Sequence, residues 1–404
     1  MEVHCVRQSL VSRPLADVRS EVFAQLSSLG LTVPSGDVAI PVGSRGISRI
    51  PEVIRACGDW LREHGASPFV VPAMGSHNGA TAEGQRSMVE SLGVTEPAMG
   101  MPIRSSMEVV QIGEVRTGPV YMDRYCYESA GVLVVNRVKL HTCFSGPVQS
   151  GLTKMMVVGM GKIRSARTFH SAGARAMKHM LLEMGQFVLD SGRILAGLAI
   201  LEDGFDQTAE LHAVRPAELL QREAELLQRH LHYFPRLPAG SLDVLIVRTI
   251  GKTYSGTGMD TNVIGRRGIH GFEDLSEPRI RVIGALELSP SSQGNALGVG
   301  NADFITRRLR DAIDEEKTLI NTLTTGDMDR AKIPATLADD ETLVRVIAER
   351  YGEQRWMFIP NTLHLETLYV TGDLAAELAV HPGCQVEGTG ESVRFRGGVL
   401  DLAF

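Results

Sequence analysis

The chain has no apolar stretch that reaches the roughly 18 residues a membrane span needs, and its start lacks the basic segment, apolar run and small-residue cleavage site of a secretory signal. A cytoplasmic protein with no membrane role is therefore expected. Basic residues are not in excess either, since 41 Lys and Arg stand against 47 Asp and Glu for a net charge of −6. Without a basic stripe to gather phosphates, nucleic-acid binding is set aside. The five cysteines, Cys5, Cys57, Cys126, Cys143 and Cys384, are odd in number and never spaced C-x-x-C, which argues against a disulfide framework or a thiolate zinc site. HExxH and EF-hand motifs are missing too, so a metal here would need donors not supplied wholly by protein motifs. Neither an internal repeat nor a low-complexity tract is present.

What is present is an ordinary globular composition, 43% hydrophobic and 22% charged over 404 residues. Cores stop growing at roughly 250 to 300 residues, so two domains are expected. Asp37 to Val42, Ile50 to Glu63 and Pro68 to Ala73 read as strand, helix and strand. Further strands are expected at Gly131 to Val138, Lys154 to Val158 and Ile194 to Leu201, with a helix from about Ala174 to Leu189. After an amphipathic helix at Pro216 to Leu231, the prolines and glycine of HYFPRLPAGS mark a boundary near residue 238. Beyond it, strands at Asp243 to Ile250 and Arg279 to Leu288 alternate with helices at Ala302 to Asp314 and Asp340 to Tyr351. The expected architecture is thus two α/β domains, 1–238 and 239–404, with the active site in the cleft between them.

In open α/β sheets ligands bind beyond the carboxyl ends of strands, so polar residues directly after predicted strands carry the most information. Arg45 lies between glycines after DVAIPV, either an anion clamp or a surface arginine in a turn. His77 in GSHNG follows PFVVPA, and His141 follows GVLVVNRV. Two histidines at one cleft could supply an acid and a base near neutral pH. Lys154, at the head of an apolar run, is either a desolvated nucleophile or cofactor anchor, or a lysine snorkelling from a strand end. His170 falls in a segment read as a loop before the next helix. The GMG at Gly159 to Gly161 lacks the third glycine of a dinucleotide fingerprint. In the second half, GKTYSGTGMD and GVGNAD follow a strand and open a helix respectively, and Lys252 is the best single candidate there for a substrate contact.

Taken in order, GSRG, GSHNG, VNRVKLHTCFSGPVQSGLTKMMVVGMGK and the downstream TFH resemble the nickel-dependent lactate racemase family and its broader homologues. That resemblance implies a nickel-pincer nucleotide (pyridinium-3-thioamide-5-thiocarboxylic acid mononucleotide), which holds Ni through two sulfurs and a carbon and is tethered to a lysine. By the same resemblance Lys154 would be the tether, His170 the protein ligand to nickel, His77 and His141 the acid/base pair, and Arg45 a substrate contact. The substrate would be a small 2-hydroxy acid, and the cofactor-building enzymes would be partners; a homo-oligomer is compatible with the sequence. Two departures stand out. The gap 154 − 141 = 13 is longer than in the best-known members, with the extra residues around Gly146 to Gln149. Arg45 also sits in Gly-Ser-Arg-Gly instead of Asp-x-Thr-Arg, so an acidic neighbour is missing and the substrate need not be lactate.

The leading expectation is an isomerase, a racemase or epimerase of a 2-hydroxy acid. Its rivals are an NAD-type dehydrogenase, a lysine Schiff-base enzyme using Lys154, and a non-catalytic sensor of small acids.

Overall fold

The first strand, β1 (Glu2–Gln8), does not join the strands that follow it. It pairs antiparallel with two strands from the far end of the chain, Thr367–Thr371 and Cys384–Ser392. A computed structural model describes the backbone of residues 1–404 and every side chain except those of His170, Ala174, Thr324 and Thr325. Its two units are Val11–Phe234, and Met1–Leu10 together with Pro235–Phe404. Met1–Leu10 thus belongs with the later part of the chain. EVHCVRQ buries Val3 and Val6, three positions apart across a register shift between Val3 and Cys5, and the run says nothing about which sheet receives it.

In the Val11–Phe234 unit, β2 (Gly36–Val42), β3 (Ala66–Pro72), β6 (Gly131–Arg137), β7 (Ile194–Glu202) and β8 (Thr208–Val214) form a five-stranded sheet. A separate hairpin, β4 (Val109–Val115) with β5 (Gly118–Asp123), falls between β3 and β6 in sequence. Sheet order is β3-β2-β6-β7-β8, parallel except for β8. Continuous apolar runs such as VAIPV and VLVV suit strands buried on both faces. The helix Ile50–Glu63 joins β2 to β3; Pro51 stands in its first turn, and Val53, Ile54, Cys57, Trp60 and Leu61 form its buried stripe. They pack with Val38, Ile40, Leu133, Val135, Leu198 and Ile200 in one core.

The chain leaves β2 toward β3 and later returns to the other side of β2 with β6, so the topological switch lies between β2 and β6. Their ladder is short, with Val38 opposite Gly131 and Ala39 opposite Val132 only. Both strands run on toward their carboxyl ends without pairing to each other.

The other unit holds an eight-stranded sheet in which β9 (Ser241–Ile250), β10 (Arg279–Leu288), β11 (Phe304–Thr306), β12 (Ala335–Leu337) and β13 (Trp356–Ile359) are parallel. With β14 (Thr367–Thr371) and β15 (Cys384–Ser392), the order is β12-β11-β10-β9-β13-β14-β1-β15. Its core gathers Val244, Ile246, Val282, Leu286, Leu343, Ile347, Trp356 and Phe358. The helix expected over Ala302 to Asp314 is instead a short strand, β11, followed by a helix over Arg307–Asp311. Phe304 and Ile305 pair with Gly284 and Ala285, and that ladder overrides local helix propensity. Among the described residues no helix is long and apolar enough to cross a membrane.

Candidate functional site

Three neighbouring parallel strands, β3, β2 and β6, end in the loops that carry His77, Arg45 and His141. The switch point and the unpaired ends of β2 and β6 set these loops where α/β sheets bind ligands. The loop after β3 is held in an unusual conformation, because Asn78, Gly79 and Ala80 all have positive φ (51°, 70° and 53°). For alanine that region is costly, and such strain gathers where surrounding structure must aim a side chain.

Lys154 is not on a strand. The expected strand over Lys154 to Val158 is a helical segment: a turn over Leu152–Lys154, a π-helical stretch over Met155–Gly159, then a helix over Lys162–Ser171. An all-apolar run such as KMMVV carries no periodicity to separate a buried strand from a buried helix. Glu223 settles it locally, since its carboxyl accepts from the backbone N–H of Thr153 at 2.8 Å and from the Thr153 hydroxyl at 2.6 Å. The π-helical turns lie against the strand ends. A side chain at Gly43 would reach the Met155 methyl at 3.4 Å, and Gly75 N–H donates to Gly159 O at 3.4 Å. Single π-helical turns in this role recur at functional sites.

His170 falls on the helix Lys162–Ser171, which starts anew after the turn at Met160 and Gly161, and not in a loop. Its side chain lies outside the described residues.

His141 is fixed on every side. Its backbone N–H donates to Gln149 Oε1 at 2.7 Å, and its Nδ1 accepts from the Cys143 N–H at 3.1 Å. The ring lies 4.4 Å from that of Phe144, which in turn meets Phe169 edge-on at 6.3 Å. Its Nε2 stands 2.7 Å from Lys154 Nζ. The loop that carries these contacts is closed by a bridge in which Lys139 and Ser150 exchange backbone hydrogen bonds of 2.8 and 3.2 Å. The residues between His141 and Lys154 are thus held by backbone and side-chain contacts, and Gln149 among them supports His141.

Burial lowers the Lys154 amine to about 8; Arg45 and Lys139 push in the same direction, and Cys143 opposes them. Arg45 keeps exposed surface, yet its guanidinium is also held below its ordinary value, first by desolvation and then by the like charge of Arg137. Arg137 itself is paired with Glu202, a buried carboxylate that also accepts from Ser48 N–H at 2.7 Å. Two cations of the strand-end group thus lie close to one another, an arrangement suited to a carboxylate ligand. His77 Nδ1 is hydrogen-bonded to the hydroxyl of Ser44, the residue before Arg45.

Three supporting residues escape a reading of the sequence for exposed loops. Ser44 sits inside GSRG, where the eye goes to the arginine. Lys162 is fully buried, with φ of 53°; its Nζ donates to Pro72 O and to Gln85 Oε1 at 3.2 Å and lies 3.2 Å from Asp123 Oδ2. Gln85 Nε2 passes this on to Gly75 O at 2.9 Å, within the His77 loop. Glu223 is also fully buried, and burial pushes its carboxyl up to about 7. Its signal was available: Glu223 shares a helical stripe with Leu219, Leu226, Leu227 and His230, where a carboxyl is out of place.

In the other unit, Lys252 follows β9, and its Nζ donates to Gly256 O at 2.7 Å and Asn321 Oδ1 at 2.8 Å. Hydroxyls of Thr253, Ser289 and Ser291 join one another after β9 and β10. The GVGNAD segment forms a 3₁₀ turn over Val299–Asn301 that leads into β11 and opens no α-helix. Among the described residues no three His, Cys, Asp or Glu side chains are grouped to hold a metal ion.

No protein-family model matches the sequence. No curated protein matches it either. Among solved structures, the chain is similar to the lactate racemase apoprotein from Thermoanaerobacterium thermosaccharolyticum, with 11% identity and a TM-score of 0.54 over 88% of this chain and 93% of that one. What the two proteins share at that identity is an α/β fold.

Proposed function

We propose that this protein is an isomerase that racemises or epimerises a small 2-hydroxy acid. The observation that carries the reading is the meeting of Lys154 and His141 beside the strand ends that bear Arg45 and His77. The lactate racemase-like fold supports it. Inversion at C2 requires a proton to leave the hydroxyl and return while the C2 hydrogen changes face. A histidine at each of two strand ends is suited to hold that proton near neutral pH, since an imidazole gains or loses one there. Arg45 would bind the carboxylate through its forked donors.

The cofactor in this reading is a nickel-pincer nucleotide, made by its own biosynthetic enzymes in the cytoplasm. When bound, such a group supplies a reversible acceptor for the hydride that leaves C2. The chain's residues fit it in one respect: an amide-type tether needs an uncharged amine, and Lys154 has its Nζ 2.7 Å from His141 Nε2, in a setting whose burial lowers the amine. The nucleotide brings its own metal donors, so the demand on the chain is a single ligand, for which we propose His170.

The lowered Lys154 amine also favours a second reading, a Schiff-base enzyme. The two are separated by experiment. Protein made alongside the cofactor-building enzymes is expected to carry added mass on the Lys154 peptide, nickel and new near-ultraviolet absorption, and to interconvert enantiomers in a chiral assay over a panel of 2-hydroxy acids. Absence of all four sinks the proposal. A carbonyl substrate trapped on Lys154 by borohydride establishes the rival.

A further inference from the structure

We propose that His141 holds Lys154 as an uncharged amine in the cofactor-free protein, by donating its Nε2–H to the lone pair of Nζ, so that Lys154 is an acyl-accepting nucleophile at neutral pH. The argument is one of proton counting. Cys143 N–H points at His141 Nδ1 across 3.1 Å, and a backbone N–H can only donate. Nδ1 therefore carries no proton. The single proton of a neutral imidazole is then on Nε2, which lies 2.7 Å from Lys154 Nζ. An ammonium in that position would set N–H against N–H, and an imidazolium would set Nδ1–H against Cys143 N–H. One arrangement satisfies all three groups, a neutral imidazole donating to a neutral amine.

The ring cannot evade this by turning. Phe144 faces it, Gln149 Oε1 anchors its backbone, and the Lys139–Ser150 bridge closes the loop. Among the described residues the charged and titratable groups around the amine are His141, Cys143, Arg45 and Lys139; the two cations oppose an ammonium and Cys143 favours one. Gly185 of the helix Gly173–Asp190 meets Thr153 without a side chain, and Glu223 of the helix Leu219–Tyr233 is occupied with Thr153. Rotation of Lys154 away from His141 breaks one hydrogen bond and frees the lone pair for attack.

The test needs no cofactor, so its failure and that of the racemase reading are distinguishable. Full-length cofactor-free protein is trace-labelled with acetic anhydride between pH 6 and 10, and acetylation is followed at each lysine by mass spectrometry. In this reaction the amine nitrogen bonds to the acyl carbon, acetate leaves with its C–O electron pair, and the amine proton passes to solvent. Absolute rates depend on access, so the pH midpoint is read, with the exposed Lys317 and Lys332 as references.

A Lys154 midpoint near pH 8 is expected, which makes its free-amine fraction at pH 7 on the order of 100-fold greater than that of an ordinary lysine. His141→Phe keeps an aromatic ring and removes the donor, and is expected to raise the midpoint. His141→Gln restores an N–H close to the Nε2 position and is expected to return it toward the wild-type value. A wild-type midpoint equal to that of the reference lysines overturns the proposal, as does an unmoved midpoint in His141→Phe. Should that variant not fold, the wild-type and His141→Gln profiles decide the question by themselves.

Discussion

The hydroxyl of Ser44 is hydrogen-bonded to Nδ1 of His77, which joins the loop after β2 to the loop after β3. The partner on one imidazole nitrogen sets which nitrogen faces a ligand. A hydroxyl can donate or accept there, whereas a carboxylate only accepts and favours the charged ring. Ser44→Ala is expected to slow interconversion about fivefold, in line with one lost hydrogen bond of ~1 kcal/mol. Ser44→Asp is expected to move the rate–pH profile to higher pH. Steady-state rates across pH check both, and a Ser44→Ala enzyme as fast as wild type removes Ser44 from the site.

His77 and Lys154 have separable roles under the proposed function. His77→Ala is expected to cut interconversion by on the order of 100- to 10,000-fold, the usual range for a lost acid/base group, and to leave the added mass on the Lys154 peptide. Lys154→Ala is expected to abolish that mass. Intact mass and chiral turnover measured on the same preparations check the pair, and retained turnover in His77→Ala refutes the assignment.

Glu223 makes stability depend on pH. Its folded carboxyl is raised from 4.5 to about 7 by burial, so between these values the folded state binds a proton that the unfolded state has lost. The favourable contribution is complete below about pH 4.5 and disappears as pH rises through 7. The span is at most about 3 kcal/mol at ~1.4 kcal/mol per pH unit. Glu223→Gln is expected to flatten this window and to match or exceed wild-type stability above pH 7. Urea unfolding at pH 5 and pH 7.5 measures it, and identical pH slopes in the two proteins contradict it.

Lys162 and Asp123 are an ion pair with no exposed surface, and burial holds the Asp123 carboxyl above its ordinary value despite the lysine. Lys162→Met leaves that carboxyl without its cation and is expected to cost ~3–5 kcal/mol. Adding Asp123→Asn is expected to recover part of the loss. Denaturant titrations of the two single variants and the double variant check the coupling, and simple additivity disproves it.

The strands that build the candidate site were legible because their signals are strong. Apolar runs end abruptly in glycine-rich polar loops, and each places its polar residue at a strand end. The helical setting of Lys154 is hidden because the residues after it are uniformly apolar, and Glu223, which holds Thr153 N–H, is distant in sequence. Ser44, Gln149 and Lys162 act through contacts between loops, and sequence spacing has no means of showing which loops meet. The destination of β1 is hidden for a similar reason, since strand alternation specifies a face and not a partner.

That strand has a consequence for how the protein is made. Residues 11–234 are contiguous and can close their own sheet as soon as they leave the ribosome. The other unit cannot. Its strand order keeps a place between β14 and β15 for residues synthesised long before them, so β1 waits until β14 and β15 have emerged. Such a long-range closure is slow, and until it happens two strand edges stand open to other chains.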